Sequence, residues 1–122
     1  RVATDHATFG VMEPKRGLFA GGVTTARLPR QIPFPAAMEF LLTAERFPAS
    51  RALALGLINE IVPEDELPDR AFDWARRIVV NAPLAVQATK ESVLRGLGGT
   101  LDDAYGIEQE LSNKVFATSD AK

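Results

Sequence analysis

The chain has no cysteine, one histidine, one tryptophan and one tyrosine among its 122 residues. The missing thiols exclude disulfides and thiolate metal sites. They are compatible with a reducing, cytoplasmic setting, which is the expected location. A single histidine, His6, without a nearby acidic cluster makes a poor metal site, so no metal is expected. No convincing Ser/His/Asp order is present either. Positive charge is not in excess: the formal net charge is −2. A general nucleic-acid binder would need a basic face, so no nucleic-acid partner is expected. No apolar run is long enough to span a membrane, and no membrane partner is expected. The combination of low hydrophobicity and high charge that marks disorder is also missing. Hydrophobic residues make up 46% and charged residues 25%, the composition of a globular domain with a modest core.

What is present concentrates in Phe9-Gly10-Val11-Met12-Glu13-Pro14-Lys15-Arg16-Gly17-Leu18-Phe19-Ala20-Gly21-Gly22. One carboxylate, Glu13, stands between an aromatic-glycine pair and a glycine pair, just before an expected helix. Such a segment can hold an acid or base beside a backbone that must approach a ligand closely. A surface glutamate in a loop is the competing reading. Lys15-Arg16 and Arg76-Arg77 are neighbouring cations, expected to be solvated.

Along the chain, residues 1–9 read as weakly β-like and 10–22 as loop. A short helix is expected over Val23–Leu28, capped by Thr24 or Thr25 and limited by Pro29. Phe34, Met38, Leu41 and Leu42 then share one apolar helical face, with Pro35 in its first turn and Phe47-Pro48 breaking it. Ser50 is expected to cap a helix over Arg51–Leu55 that ends on Gly56. Leu57–Val62 reads as a strand closed by Pro63. Glu64, Asp65 and Glu66 place negative charge at the start of a long helix, whose apolar side carries Leu67, Ala71, Trp74, Ala75 and Ile78. The next helix begins at Ala82-Pro83, runs through Val86, Lys90 and Val93, and stops at Gly96–Gly99. Thr100 with Asp103 forms a capping-box pattern for a last helix lined by Ala104, Ile107, Leu111 and Val115. Few strands and many helices result, and short strands alone do not make a self-sufficient sheet. Arg1-Val2-Ala3 reads like the tail of a strand, and the last residues, Ser119-Asp120-Ala121-Lys122, are polar. A piece of a longer protein is the expectation.

These residues resemble the enoyl-CoA hydratase/isomerase superfamily, the crotonases. The likeness rests on Phe9-Gly10-Val11-Met12-Glu13, Gly17, Gly21-Gly22, Leu28-Pro29-Arg30, Leu42-Thr43-Ala44, Ala49-Ser50-Arg51-Ala52, Gly56–Pro63 and the Ala82-Pro83 helix with Lys90. It covers essentially the whole chain. It implies an α/β crotonase fold, a ClpP-like β spiral, of which this segment is the mainly helical C-terminal part with a few short strands. Residues 1–122 would then belong to a single crotonase-like domain, whose N-terminal half and final helix lie outside the segment.

The resemblance implies an enoyl-CoA hydratase that adds water to a 2-enoyl-CoA thioester. The acyl-CoA is the substrate and no separate cofactor is expected. Glu13 corresponds to one of two family glutamates that handle water and protons. Gly21 corresponds to the glycine whose backbone N–H helps hold the water, although a plain turn glycine is an equal reading. The other glutamate and the oxyanion donors would precede residue 1, so the isolated segment is expected to be inactive. Homo-trimers or hexamers are common in the family, and Phe116 could pack on a neighbouring subunit. Trp74 and Phe72 are expected in packing or interfaces. Two departures stand out. Met12 replaces the usual proline before the glutamate, while Pro14 follows it and should hold Glu13 extended. Val23 falls where the family keeps glycine, and a β-branched residue resists positive φ. The alternatives are another crotonase-family isomerase, dehydratase or lyase, or a non-catalytic oligomerisation module of the same fold.

Overall fold

A computed structural model describes residues 1–119; the expected polar end at Asp120, Ala121 and Lys122 lies outside the described residues. The chain divides into two compact units, Arg1–Ala71 and Phe72–Lys122.

In the first unit, strand β1 (Val2–Thr4) pairs in parallel with β4 (Glu60–Val62), Ala3 opposite Ile61. Strand β2 (Thr8–Phe9) pairs antiparallel with β3 (Phe47–Pro48), Phe9 opposite Phe47. The sequence reading places only a break at Phe47-Pro48. Two residues ending in proline carry no alternation signal, and their pairing is set by the partner strand. The strand expected over Leu57–Val62 contracts to β4, because Leu57 and Ile58 donate their amides to the Ala52 carbonyl and finish the preceding helix.

Helix α1 (Thr24–Arg27) is followed by a 3-10 turn, Leu28–Arg30. Neither Thr24 nor Thr25 caps it. Val23 occupies the cap position with no side-chain hydrogen bond. Helix α2 (Phe34–Thr43) starts behind Pro33 as expected, but its buried face is Ala37, Phe40 and Leu41. Phe34 and Leu42 point outward and Met38 is half-buried. α2 carries competing apolar stripes, and the ring of Phe47 selects the one containing Phe40: the ring centroids lie 3.7 Å apart. Around this pair gather Val11, Ala20, Leu28, Ile32 and Ala37, the main core.

Helix α3 (Ala49–Ala54) starts directly from Pro48, so Ser50 lies inside it and caps nothing. Ala49 and Ala52, both fully buried, let α3 close on Ala3 and Ile58 in a second small core. Its C-terminus matches the expectation. Gly56 donates to the Leu53 carbonyl and Leu57 to the Ala52 carbonyl, while Gly56 takes φ 74°. This is a Schellman ending, which glycine makes without a Cβ penalty. Gly56→Ala should cost about 1–2 kcal/mol, the penalty for left-handed backbone in an L-residue, read by chemical denaturation.

The acidic run Glu64–Glu66 forms its own 3-10 turn before α4 (Leu67–Val79). The helical spacing of Leu67, Trp74 and Ile78 is as expected, but no residue of α4 is buried. Helices α5 (Pro83–Gly96) and α6 (Leu101–Phe116) pack as a hairpin in the second unit. Leu111 is buried, and Ala104, Ile107 and Val115 are partly covered, as the spacing predicts. The capping box is present: Thr100 Oγ1 accepts from the Asp103 amide at 3.1 Å, and Asp103 Oδ2 accepts from the Thr100 amide at 2.9 Å.

The hydroxyl and then the amide of Thr100 hold the Asp103 carboxyl below its ordinary pKa. A depressed folded-state pKa contributes stability above the unfolded value, and that contribution is lost as pH falls through the folded value. Asp103→Asn should therefore flatten the fall in stability on acidification below about pH 4, checked by denaturation at stepped pH. Among the described residues no helix is long and apolar enough to cross a membrane.

Candidate active site

The approach to Glu13 is set by Gly10. A Cβ there would lie 3.1 Å from the Glu45 carbonyl oxygen, so the chain leaving β2 passes close to a neighbouring backbone that would have to shift by a few tenths of an ångström to take one. Glu13 then opens a 3-10 turn, Glu13–Arg16, within the segment expected to be loop. It is not held extended by Pro14. Gly17, at φ 66°, returns its amide to the carbonyls of Glu13 and Pro14, and Leu18 donates to Glu13 at 3.1 Å. These bonds outweigh the preference of a residue preceding proline. The Glu13 side chain is half-buried, and among the described residues its carboxylate has no hydrogen bond or ion pair.

Gly21 is exposed, and a Cβ on it would meet no atom within 4 Å. Its N–H donates to the Phe19 carbonyl at 2.8 Å, and its carbonyl accepts from Thr24 at 3.2 Å. The backbone donor singled out from the sequence is thus engaged in a tight turn. Gly22 follows at φ 62° and Val23 at φ 69°. Val23 does adopt the left-handed region, at a strain of about 1–3 kcal/mol for a non-glycine residue.

Behind the Glu13 turn lies an apolar hollow of about 420 Å³, lined among others by Pro14, Leu18, Phe19, Phe34, Met38 and Leu42. Sequence reasoning missed it. The signals were there in Leu18-Phe19, an apolar pair inside a loop, and in Phe34, Met38 and Leu42 at steps of four. Their spacing reads as core, yet Phe19 is 80% and Phe34 63% exposed.

The remaining singled-out residues lie elsewhere. His6 Nδ1 is 3.2 Å from Asp5 and its Nε2 4.0 Å from Glu64, all exposed. Among the described residues no group of His, Cys, Asp or Glu could hold a metal ion. Phe72 is exposed, and Trp74 is half-buried with the Arg77 guanidinium 4.4 Å above its ring. Phe116 edges a separate hollow of about 360 Å³ between α5 and α6, with Val93, Leu111 and Val115.

A family model described as enoyl-CoA hydratase/isomerase matches residues 1–122. Enoyl-CoA hydratase EchA19 of Mycobacterium tuberculosis is 38% identical over 122 residues, 100% of this chain and 46% of that protein. (E)-Benzylidenesuccinyl-CoA hydratase of Thauera aromatica is 43% identical over 122 residues, 100% of this chain and 48% of that protein. A crystal structure of enoyl-CoA hydratase from Mycobacterium tuberculosis superposes with a TM-score of 0.93 at 40% identity, covering 98% of this chain and 48% of that one. The chain thus spans about half the length of the relatives it matches. The family match and these identities bear out the superfamily, while the finer expectation of its C-terminal half is not borne out by coverage of 46–48% of the relatives' length. The matched sequence, the helix-rich segment and its short strands together settle the assignment: the chain belongs to the enoyl-CoA hydratase/isomerase family.

Proposed function

We propose that the whole protein is an enoyl-CoA hydratase, adding water to the double bond of a 2-enoyl-CoA thioester, with Glu13 as a proton-handling carboxylate. The observation that carries this reading is the Glu13 side chain. It is half-buried and without a partner among the described residues, fixed at the head of a hydrogen-bonded turn behind which an apolar hollow opens. The hydratase names borne by the relatives support it.

In this reaction the water oxygen bonds to C3 of the acyl group and one water proton leaves to a carboxylate. The electron pair of the double bond moves toward the thioester oxygen, where backbone donors meet the developing charge. A proton then returns to C2, completing addition of H and OH. A free carboxylate can accept the first proton or orient the water. Gly21 is the proposed backbone donor for that water, which must share or take over the N–H now given to Phe19. The second glutamate and the oxyanion donors lie, on this reading, outside these residues. The four short strands form part of the ClpP-like β spiral of the parent fold, in a single domain. The acyl-CoA is the substrate with no further cofactor, no metal takes part, and the assembly is a homo-trimer or hexamer in the cytoplasm.

The test is incubation of the whole protein with crotonyl-CoA, following formation of 3-hydroxybutyryl-CoA. Turnover supports the reading; absence of hydration with this and longer 2-enoyl-CoA thioesters overturns it.

A further inference from the structure

We propose that Val23 is a specificity-determining residue, its isopropyl group forming a wall against the substituent on C3 of the acyl group. The inference rests on the reading of Glu13 and Gly21 given above.

Val23 holds φ 69° and ψ 4°, immediately after Gly22 at φ 62°. A β-branched residue is poorly suited to this region, whereas glycine would hold the same backbone without strain. Among the described residues no side-chain hydrogen bond or buried contact of Val23 offsets this. Val23 is 63% exposed, so it gains little from packing on the described residues. Its position before α1 uses only its carbonyl, which accepts from Arg27 at 2.9 Å and Ala26 at 3.2 Å, and any residue supplies that group. The space beside the turn is open, since a Cβ at Gly21 or Gly22 would meet no atom within 4 Å. Backbone strain retained without local compensation points to a contact made in the functional state.

The position of Val23 narrows what that contact is. Its Cα is two residues from Gly21, at most about 7.6 Å away. On this proposal the water held at the Gly21 N–H adds to C3, and the Val23 methyl groups face the substituent there. A methyl there fits beside the valine, and a large planar group meets it.

The experiment compares the whole protein with Val23→Gly and Val23→Ala on crotonyl-CoA, with a methyl on C3, and cinnamoyl-CoA, with a phenyl. The ratio of kcat/KM for cinnamoyl-CoA over crotonyl-CoA should rise about tenfold or more in Val23→Gly, the scale of a removed steric contact. It should rise in the same direction in Val23→Ala, which keeps the Cβ but loses both methyls. Val23→Gly should also melt about 2–4 °C higher as the strain is released. A higher melting temperature with an unmoved ratio overturns the proposal. So does a lower melting temperature in Val23→Gly, which would mean that Val23 packs against another part of the protein. If the unmodified protein hydrates neither these nor longer 2-enoyl-CoA thioesters, the hydratase reading itself fails; an unmoved ratio in an active enzyme sinks the wall alone.

Discussion

Glu13→Gln in the whole protein should lower kcat for hydration of crotonyl-CoA by roughly 10²–10⁴, the usual contribution of a positioned acid or base. Glutamine keeps the size and the hydrogen-bonding capacity of the side chain but cannot take the water proton. Because the Glu13 carboxylate has no ion pair or hydrogen bond among the described residues, removing its charge breaks no structural contact. The turn itself is held by the backbone bonds from Gly17 and Leu18, which the substitution leaves intact. The melting temperature should therefore stay within the range of a neutral surface change. Steady-state kinetics and thermal melting on the same preparation separate the outcomes. A drop in kcat with unchanged melting supports the catalytic role. Equal turnover rates exclude it, and a drop that tracks a loss of fold assigns Glu13 to structure instead.

Phe47→Ala should be the most destabilising single truncation in the first unit, costing about 3–5 kcal/mol. Phe47 is 2% exposed, meets the Phe40 ring at 3.7 Å between centroids, and carries the Arg51 guanidinium 4.0 Å from its centroid. That guanidinium also pairs with Glu39 of α2, so the truncation loosens the contact between α3 and α2. Phe47 lies opposite Phe9 in the β2–β3 pair, immediately before Gly10 and the run to Glu13. Loss of the ring thus removes core packing and the support beneath the site together. Total stabilities of about 5–15 kcal/mol make such a loss severe. Phe34→Ala, at an exposed ring on the same helix as Phe40, is the control and should change stability far less. The measurement is denaturant unfolding of both variants. A cost for Phe47→Ala no larger than that for Phe34→Ala would contradict this description of the core.

The sequence made the longer helices and two of the helix ends legible. The period over residues 67–116 is sustained, and Gly56 and the Thr100/Asp103 pair act locally, through bonds to their own neighbours. What it did not show depends on distant partners. The choice of Phe40 over Phe34 as the core ring of α2 is made by Phe47, and the strand at Phe47-Pro48 exists only because Thr8–Phe9 lies against it. Glu13 was legible as a lone carboxylate between glycine-containing pairs. Its turn was not, since Gly17 and Leu18 override the local effect of Pro14. Gly21 was legible as a glycine in a turn, while the direction of its N–H toward Phe19 depends on the tight return of the backbone. At Val23 the conflict between side chain and backbone was visible only through the family resemblance, and it resolves with Val23 in the left-handed region.

Hydration differs from double-bond migration in the fate of one oxygen atom, and that atom can be followed. The most direct measurement is reaction of the whole protein with crotonyl-CoA in oxygen-18 water, with mass analysis of the product. Hydration gives 3-hydroxybutyryl-CoA labelled at the C3 hydroxyl, formed much more slowly by Glu13→Gln. A product isomerised without gaining oxygen, or labelled product formed equally fast by both proteins, would contradict it.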